Sequence, residues 1–348
     1  MENNVLFARI LMLVLCACIT IGCFWKLNQS YDPLARYPYG TEQQRKVILD
    51  KLDNKEIDYL ISQHIRPKTF MKFIHVDGFD VYHCQEYSIA KKVQEESNDY
   101  IVNFVNKYTK YFSRDDLSEL LKHYSYAELT SFYENDLGNN EDLSLMDDPS
   151  QKYLILNGSQ SVYRYEPGYL VDTNGVTVCQ EMQSDLENMI NTYATMMDGR
   201  TLQVSNGYMS YDAINEMVTQ LIQTYGQDSV SHFYLPAGQN EWQLGYTVSF
   251  FDTATWIRTC LDFEKEHGQL DYPSIIQSLP QESQDLIVWL EENAYHYGFV
   301  IRYPSDKRDQ TKMEYQPFVL RYDGKSCAKK MQTSNQCMEE MDFSDYEE

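Results

Sequence analysis

The chain begins with a short polar stretch and then an unbroken apolar run from Ile10 to Trp25. This run is slightly shorter than the roughly 20 residues that span a bilayer as a helix, but it can be extended backwards if Arg9 reaches for the membrane surface. We expect residues 1–26 to be an uncleaved N-terminal anchor, with the bulk of the chain outside the membrane. A cleaved signal peptide and lipoprotein cleavage before Cys18 or Cys23 remain open alternatives.

The pattern then becomes polar and, further on, helical. Residues 27–41 contain two prolines and a glycine among polar residues, which predicts an extended linker. From Thr41 onward the apolar positions recur at helical spacing, and the sequence Thr41-Glu-Gln-Gln matches a helix capping box. We predict a small all-helical module over residues 42–135, with either a spacer or a binding role.

The second half mixes short alternating runs with amphipathic helical stretches. Residues 136–150 are polar and acidic and predict a linker. Tyr246 to Phe251 alternates as a strand does, whereas Glu181 to Met197 has the apolar spacing of a helix. We interpret residues 151–325 as one domain. The final stretch, 326–348, is acidic without an apolar period, which predicts a disordered tail.

Composition narrows the possible partners. The chain has 52 acidic and 29 basic residues and a formal net charge of −23, which argues against binding to nucleic acid because phosphates require basic partners. Five of the eight cysteines lie outside the apolar run, so at most two disulfides can form within one chain. The absence of a C-x-x-C pair gives no support for a zinc knuckle.

Four separated segments share one resemblance. Residues 206–211 read NGYMSY, 236–250 read PAGQNEWQLGYTVSF, 289–304 read WLEENAYHYGFVIRYP and 315–324 read YQPFVLRYDG. In this order they resemble the D-alanyl-D-alanine carboxypeptidase family, the VanY-like zinc peptidases that trim peptidoglycan stem peptides, over about residues 151–325. The resemblance implies an α+β fold, in which helices pack on a small antiparallel sheet, and a role in cell-wall metabolism.

The resemblance also indicates which positions carry the chemistry in the family. Its zinc ligands fall on Trp242, Ser249 and Val319, and its general base falls on Gln316. An indole has no lone pair to give, a valine has no donor atom, and a serine is a poor ligand beside a carboxylate. A glutamine cannot accept a proton at neutral pH. We therefore predict no zinc cofactor and no hydrolysis by the family mechanism.

The substrate contacts have changed as well. Met209 stands where the family has an arginine that holds the substrate carboxylate, and Asn240 stands where it has a serine. The predicted cleft, degenerate in its chemistry but open to a ligand, consists of Tyr208, Met209, Ser210, Asn240, Glu241, Trp242, Ser249, Gln316, Phe318 and Val319. Our first hypothesis is a membrane-anchored, extracytoplasmic pseudoenzyme that binds a peptidoglycan stem peptide or a cell-wall protein without cutting it.

Two alternatives compete with this hypothesis. An active zinc carboxypeptidase would need relocated ligands, for which His232, Glu241, Cys260 and His296 are the candidates. A structural scaffold would need no ligand at all. Side chains that fill the former cleft around Trp242 and Phe318 would favour the scaffold, whereas an open groove would favour binding.

Overall fold

The computed structural model describes residues 2–29, 32–136 and 142–346, so residues 30 and 31 of the first predicted linker and 137–141 of the second lie outside it. The chain divides into two compact units, Met1–Ser118 and Glu119–Glu348. The first unit begins with helix α1, Glu2–Gln29. Its segment Phe7–Leu27 is long and apolar enough to cross a membrane, a property that signal sequences share.

The remainder of the first unit is helical, and no strand occurs among residues 32–118. The predicted capping box is present, since the Gln44 N–H donates to Thr41 Oγ1 at 3.1 Å. The helices are α2 Glu42–Lys51, α3 Asn54–Ser62, α4 Pro67–Phe70, α5 Cys84–Val93 and α6 Asn98–Tyr108, and α7 Arg114–His123 crosses into the second unit. The described part of the 27–41 linker is not free, because Leu34 and Tyr37 are buried and Tyr37 Oη donates to the Ile65 carbonyl at 2.7 Å.

The division into two units falls between Ser118 and Glu119, inside α7, whereas the sequence predicts a linker at residues 136–150. Residues 119–136 belong to the second unit. Tyr163 Oη donates to Ser131 Oγ at 2.9 Å, and the Tyr163 ring packs edge-on against Phe132 at a centroid distance of 5.7 Å. Helical periodicity cannot assign residues 119–136 to one unit or the other, because it shows which face of a helix is apolar and not which partner covers that face.

A three-stranded antiparallel sheet lies at the centre of the second unit. Its order is β5 (Thr247–Ser249), β7 (Gln316–Tyr322) and β6 (Phe299–Tyr303), and every residue of β7 is buried. Two smaller pairs are parallel β1 (Ser144–Leu145) with β2 (Gln160–Ser161), and antiparallel β3 (Leu170–Thr173) with β4 (Val176–Cys179). Asn174 and Gly175, both at positive φ, make the tight turn of the latter hairpin.

Helices cover this sheet and share one large hydrophobic core with it. The helices of the unit are α8 Tyr126–Ser131, α9 Gln183–Met196, α10 Tyr211–Tyr225, α11 Gln227–Ser231, α12 Thr253–His267, α13 Tyr272–Ser278, α14 Gln281–Asn293, α15 Arg308–Thr311 and α16 Lys325–Ser334. Side chains of α9 to α14 contribute to this core. The predicted α+β architecture, a small antiparallel sheet with packed helices, is confirmed.

The disorder predicted for residues 326–348 is wrong for all but the last two residues, which lie outside the described part. Helix α16 buries Cys327 and Met331, and a following turn buries Met338. The Phe343 ring stacks on Tyr153 at 4.6 Å. Cys327, Ala328 and Met331 form an apolar face at helical spacing among the charged residues of this segment.

Candidate functional site

The sheet brings the former ligand positions together. Ser249 on β5 and Val319 on β7 are directly opposite each other in the antiparallel ladder. The segment 206–209 forms backbone hydrogen bonds with β5 and with Trp242. The Ser249 N–H donates to the Asn206 carbonyl at 3.0 Å, and the Met209 N–H donates to the Trp242 carbonyl at 3.2 Å. The segment 206–209 therefore contacts both β5, through Ser249, and the turn that contains Trp242.

Backbone geometry explains why the frame of the motif is retained. The Asn240 side chain accepts from the Trp242 N–H at 3.2 Å and starts a single 3₁₀ turn, Glu241–Leu244, which ends at Gly245 with φ 75°. At Gly238, with φ 83°, a Cβ would lie 2.9 Å from Ser161 Oγ, so only glycine fits. Asn240, Gly238 and Gly245 thus set the backbone conformation of this segment, and that conformation needs no bound metal.

The floor of the site is filled with side chains. Trp242, Ser249 and Val319 are only 3%, 1% and 2% exposed. Ser249 Oγ donates to the Phe251 carbonyl at 2.6 Å. The Phe318 ring stacks on Phe251 with ring centroids 4.9 Å apart, so the side chains at these four positions are packed against their neighbours.

The residues present do not fit the zinc ion of the family. Within residues 2–29, 32–136 and 142–346, no group of three or more His, Cys, Asp or Glu side chains is placed to hold a metal ion. The relocated site is therefore not assembled either. His232 and His296 are exposed, Cys260 is buried in the core, and Glu241 is engaged in ion pairs.

Gln316 and Asn240 have become structural amides. Gln316 is 1% exposed, and its Nε2 donates to the Phe233 carbonyl at 2.8 Å. Asn240 Nδ2 likewise donates to the Leu235 carbonyl at 2.9 Å. A glutamate has no N–H for the first of these bonds, which gives Gln316 a packing role at the former base position.

A rim of three residues remains partly accessible. Tyr208, Met209 and Ser210 are half-buried, and the Ser210 side chain caps α10 by accepting from the Ala213 N–H at 3.3 Å. Burial, assisted by the negative charge of Glu166, raises the pKa of Tyr208 to about 12, so its hydroxyl stays protonated. Of the predicted cleft, only this rim presents surface to a ligand.

A buried charge cluster under the site was not foreseen. The Glu241 carboxylate accepts two hydrogen bonds from Arg302, at 2.7 and 2.8 Å, and lies 3.6 Å from Arg321. Burial would raise the pKa of Glu241, but the charges of Arg302 and Arg321 outweigh it and the pKa is lowered. For buried Asp323, 3.7 Å from Arg321, burial prevails and raises the pKa to about 6. The signal in the sequence was the charged residues retained in three separate motifs.

Comparison with known proteins shows which proteins this chain resembles. Residues 175–325 match the family model for D-alanyl-D-alanine carboxypeptidase, VanY. This part of the chain is a VanY-family domain. The Enterococcus faecium D-alanyl-D-alanine carboxypeptidase is 29% identical over 51% of this chain and 59% of its own length. The Bacillus subtilis protein YodJ is 26% identical over 61% of this chain and 74% of its own.

Two solved structures resemble part of this chain. The LdcB LD-carboxypeptidase is 25% identical, with a TM-score of 0.44 over 57% of this chain and 88% of its own. VanYB in complex with D-alanine-D-alanine is 21% identical, with a TM-score of 0.43 over 57% of this chain and 99% of its own.

Proposed function

We propose that this chain is a cell-wall pseudoenzyme, in which the VanY-family domain binds a peptidoglycan stem peptide or a cell-wall protein without hydrolysing it. One observation supports the loss of hydrolysis above all others. Trp242, Ser249 and Val319, the positions that the resemblance equates with the family's zinc ligands, are all buried and offer no usable set of donors. Gln316, fixed to a backbone carbonyl, cannot replace the base.

The filled floor changes where binding can occur. A ligand cannot enter beside Trp242 or Phe318, because both are packed in the core. It would instead contact the rim at 208–210 and the surface around it. Loss of binding after Trp242→Ala, expected for an open cleft, would here reflect a damaged core.

The same observation favours a second candidate function, the structural scaffold. In that case residues 208–210 contact only other parts of the chain, and the domain has a structural role without a ligand. Binding to the wall separates the two candidates, because a scaffold without a wall ligand would not be retained by purified peptidoglycan.

The N-terminal helix supports an extracytoplasmic location. We propose that Phe7–Leu27 anchors the protein in the cell membrane with the bulk of the chain outside, which suits a domain of a wall-acting family. Membrane fractionation of the full chain and of a chain without residues 2–27, with protease added from outside, tests the proposal. Anchoring requires that the full chain sediments with membranes and is digested from outside.

Zinc content and hydrolysis are the first tests of the pseudoenzyme. The full-length protein, loaded with zinc in detergent and desalted, should retain no more metal than a mock-treated sample. It should release no D-alanine from a peptide that ends in D-alanyl-D-alanine, yet be retained by insoluble peptidoglycan. One zinc per chain with chelator-sensitive release would overturn the proposal. Absence of both retention and hydrolysis would favour the scaffold.

A further inference from the structure

The second unit carries an open groove of about 780 Å³ that uses none of the predicted cleft residues. Its walls come from the end of α7, from Glu128 on α8, from Ser150 and from the loop at 164–169. The volume lies within the roughly 300–1,000 Å³ typical of small-molecule sites. Its lining contains both signs of charge and two tyrosines, and so points to a ligand that makes many polar contacts.

The basic groups of the groove already have acidic partners within the chain. Arg164 forms a two-point pair with Asp212, at 2.9 and 3.2 Å. The His123 imidazole lies 3.4 Å from Asp148. These pairs leave little unbalanced positive charge to attract a phosphate or a carboxylate, and the net charge of −23 also disfavours a polyanion.

The charge of Lys122 is also paired with an acidic side chain of the chain, and Glu166 supplies a hydrogen-bond acceptor to the groove. Lys122 Nζ lies 2.6 Å from Glu119. Glu166 exposes its carboxylate at the wall of the groove. A carboxylate accepts hydrogen bonds from hydroxyl and amide N–H groups without requiring a charged ligand. The polar lining therefore favours an uncharged ligand that is rich in such donors.

The aromatic side chains specify the ligand further. Tyr169 is 76% exposed, more than any other large apolar or aromatic side chain in the described part of the chain. The Tyr165 and His123 rings pack in a T-shaped arrangement with their centroids 6.0 Å apart, and Tyr165 supplies a second, half-buried aromatic surface. An exposed ring beside hydrogen-bonding groups suits a ligand with both an apolar face and many hydroxyls, since tyrosine presents an apolar body and a polar tip. A pyranose ring has both.

We propose that this groove binds an uncharged glycan strand, with Tyr169 stacked against a sugar ring. The proposal deepens the proposed function, on which it rests, by adding the glycan of the wall as a ligand of the same unit. The groove adjoins the accessible rim, because the Arg164 guanidinium lies 4.4 Å from the centre of the Tyr211 ring, next to Ser210. One wall fragment could then contact the groove with its sugars and the rim with its peptide.

Calorimetric titration of the full-length protein in detergent with a hexamer of N-acetylglucosamine tests the assignment. We expect saturable binding that Tyr169→Ala weakens at least tenfold and that Tyr169→Phe preserves. Tyr82→Ala is the matched control, because Tyr82 is 48% exposed but lies in the first unit. No saturable binding, or equal binding by Tyr169→Ala, overturns the proposal.

A second titration separates this proposal from the proposed function. A stem peptide without sugars, ending in D-alanyl-D-alanine, should bind the parent and Tyr169→Ala equally. Binding of the peptide but not of the hexamer overturns the groove assignment and leaves the pseudoenzyme standing. Binding of the hexamer together with hydrolysis of the peptide overturns the pseudoenzyme and supports the groove.

Discussion

The Glu241 carboxylate and the Arg302 guanidinium form a two-point ion pair in which both side chains are only 1% exposed. Arg302 also donates to Glu339, at 2.7 and 3.2 Å, which ties the C-terminal segment to the same centre. The pair connects the 3₁₀ turn of the site to β6. The position of this 3₁₀ turn is thus maintained by buried charge pairing.

Removal of one partner from this buried pair should be costly. We expect Glu241→Ala to lower the free energy of unfolding by about 3–5 kcal/mol, because it leaves buried guanidinium charge without its partner. Urea unfolding measures the change. Asp285→Ala is the control, since it breaks a solvent-accessible pair with Arg200 and should cost far less. Similar values for both variants would contradict the burial of the pair.

Ordering of the C-terminal segment makes a second prediction. Met331 is 1% exposed in α16, so Met331→Ala should lower the free energy of unfolding by about 2–5 kcal/mol. Met196→Ala is the matched control, because Met196 is 57% exposed and its loss should change stability by about 0.5 kcal/mol or less. A neutral Met331→Ala would restore the view that the tail is disordered.

Asp323 should make stability depend on pH. Burial raises its pKa from 3.8 to about 6, so the folded state holds the proton more tightly than the unfolded chain does. Its contribution is favourable at low pH and is lost as the pH rises from about 4 to about 6. At 1.36 kcal/mol per pKa unit, Asp323→Asn should be more stable than the parent by roughly 3 kcal/mol above pH 6 and about equal near pH 4.

Denaturant unfolding across pH 4 to 8 measures this difference. Arg321 keeps Glu241 as a counter-charge in the Asp323→Asn variant. Asp342→Asn provides the control, because a hydrogen bond from Ser344 lowers the pKa of this solvent-exposed acid and no gain is expected. A constant offset between Asp323→Asn and the parent at every pH would rule out titration of Asp323 as the cause.

The sequence predicted local structure better than it predicted packing. The capping box at Thr41 and the strand near Tyr246–Phe251 depend on neighbours within a few residues, and both are present, the strand as Thr247–Ser249. The Glu241–Arg302 pair joins residues 61 positions apart, which no periodicity reveals. The motifs singled out Trp242, Ser249 and Val319, but only the packing shows that these side chains and Phe318 are buried.

The burial of Val319 can be tested by comparing its replacement by alanine with the same replacement at an exposed valine. Val319 is 2% exposed, so Val319→Ala should cost roughly 1.5 kcal/mol at about 0.8 kcal/mol for each buried methylene-sized group. Val288 is 54% exposed on α14, and Val288→Ala should stay within about 0.5 kcal/mol of the parent. Thermal or urea unfolding compares them. Equal, small effects would indicate that position 319 faces an open, hydrated cleft.

Reintroduction of the donors should rebuild a metal site. Ser249 and Val319 are paired across two antiparallel strands, which places their side chains on the same face with Cα atoms about 4.5–5.5 Å apart. Trp242→His, Ser249→Asp and Val319→His together would supply two imidazoles and a carboxylate, a set that zinc accepts. We expect this triple variant to retain about one zinc per chain after desalting, provided that circular dichroism shows it to be folded.

The double variant Ser249→Asp and Val319→His is the control, because it keeps Trp242 and so lacks the third donor. It should lose zinc on desalting. Addition of Gln316→Glu to the triple variant then restores a group that can accept a proton, and chelator-sensitive release of D-alanine from a D-alanyl-D-alanine peptide should appear only in this quadruple variant. A folded triple variant that retains no zinc would show that the three positions do not converge on one metal. The motif correspondence on which the pseudoenzyme proposal rests would then fail.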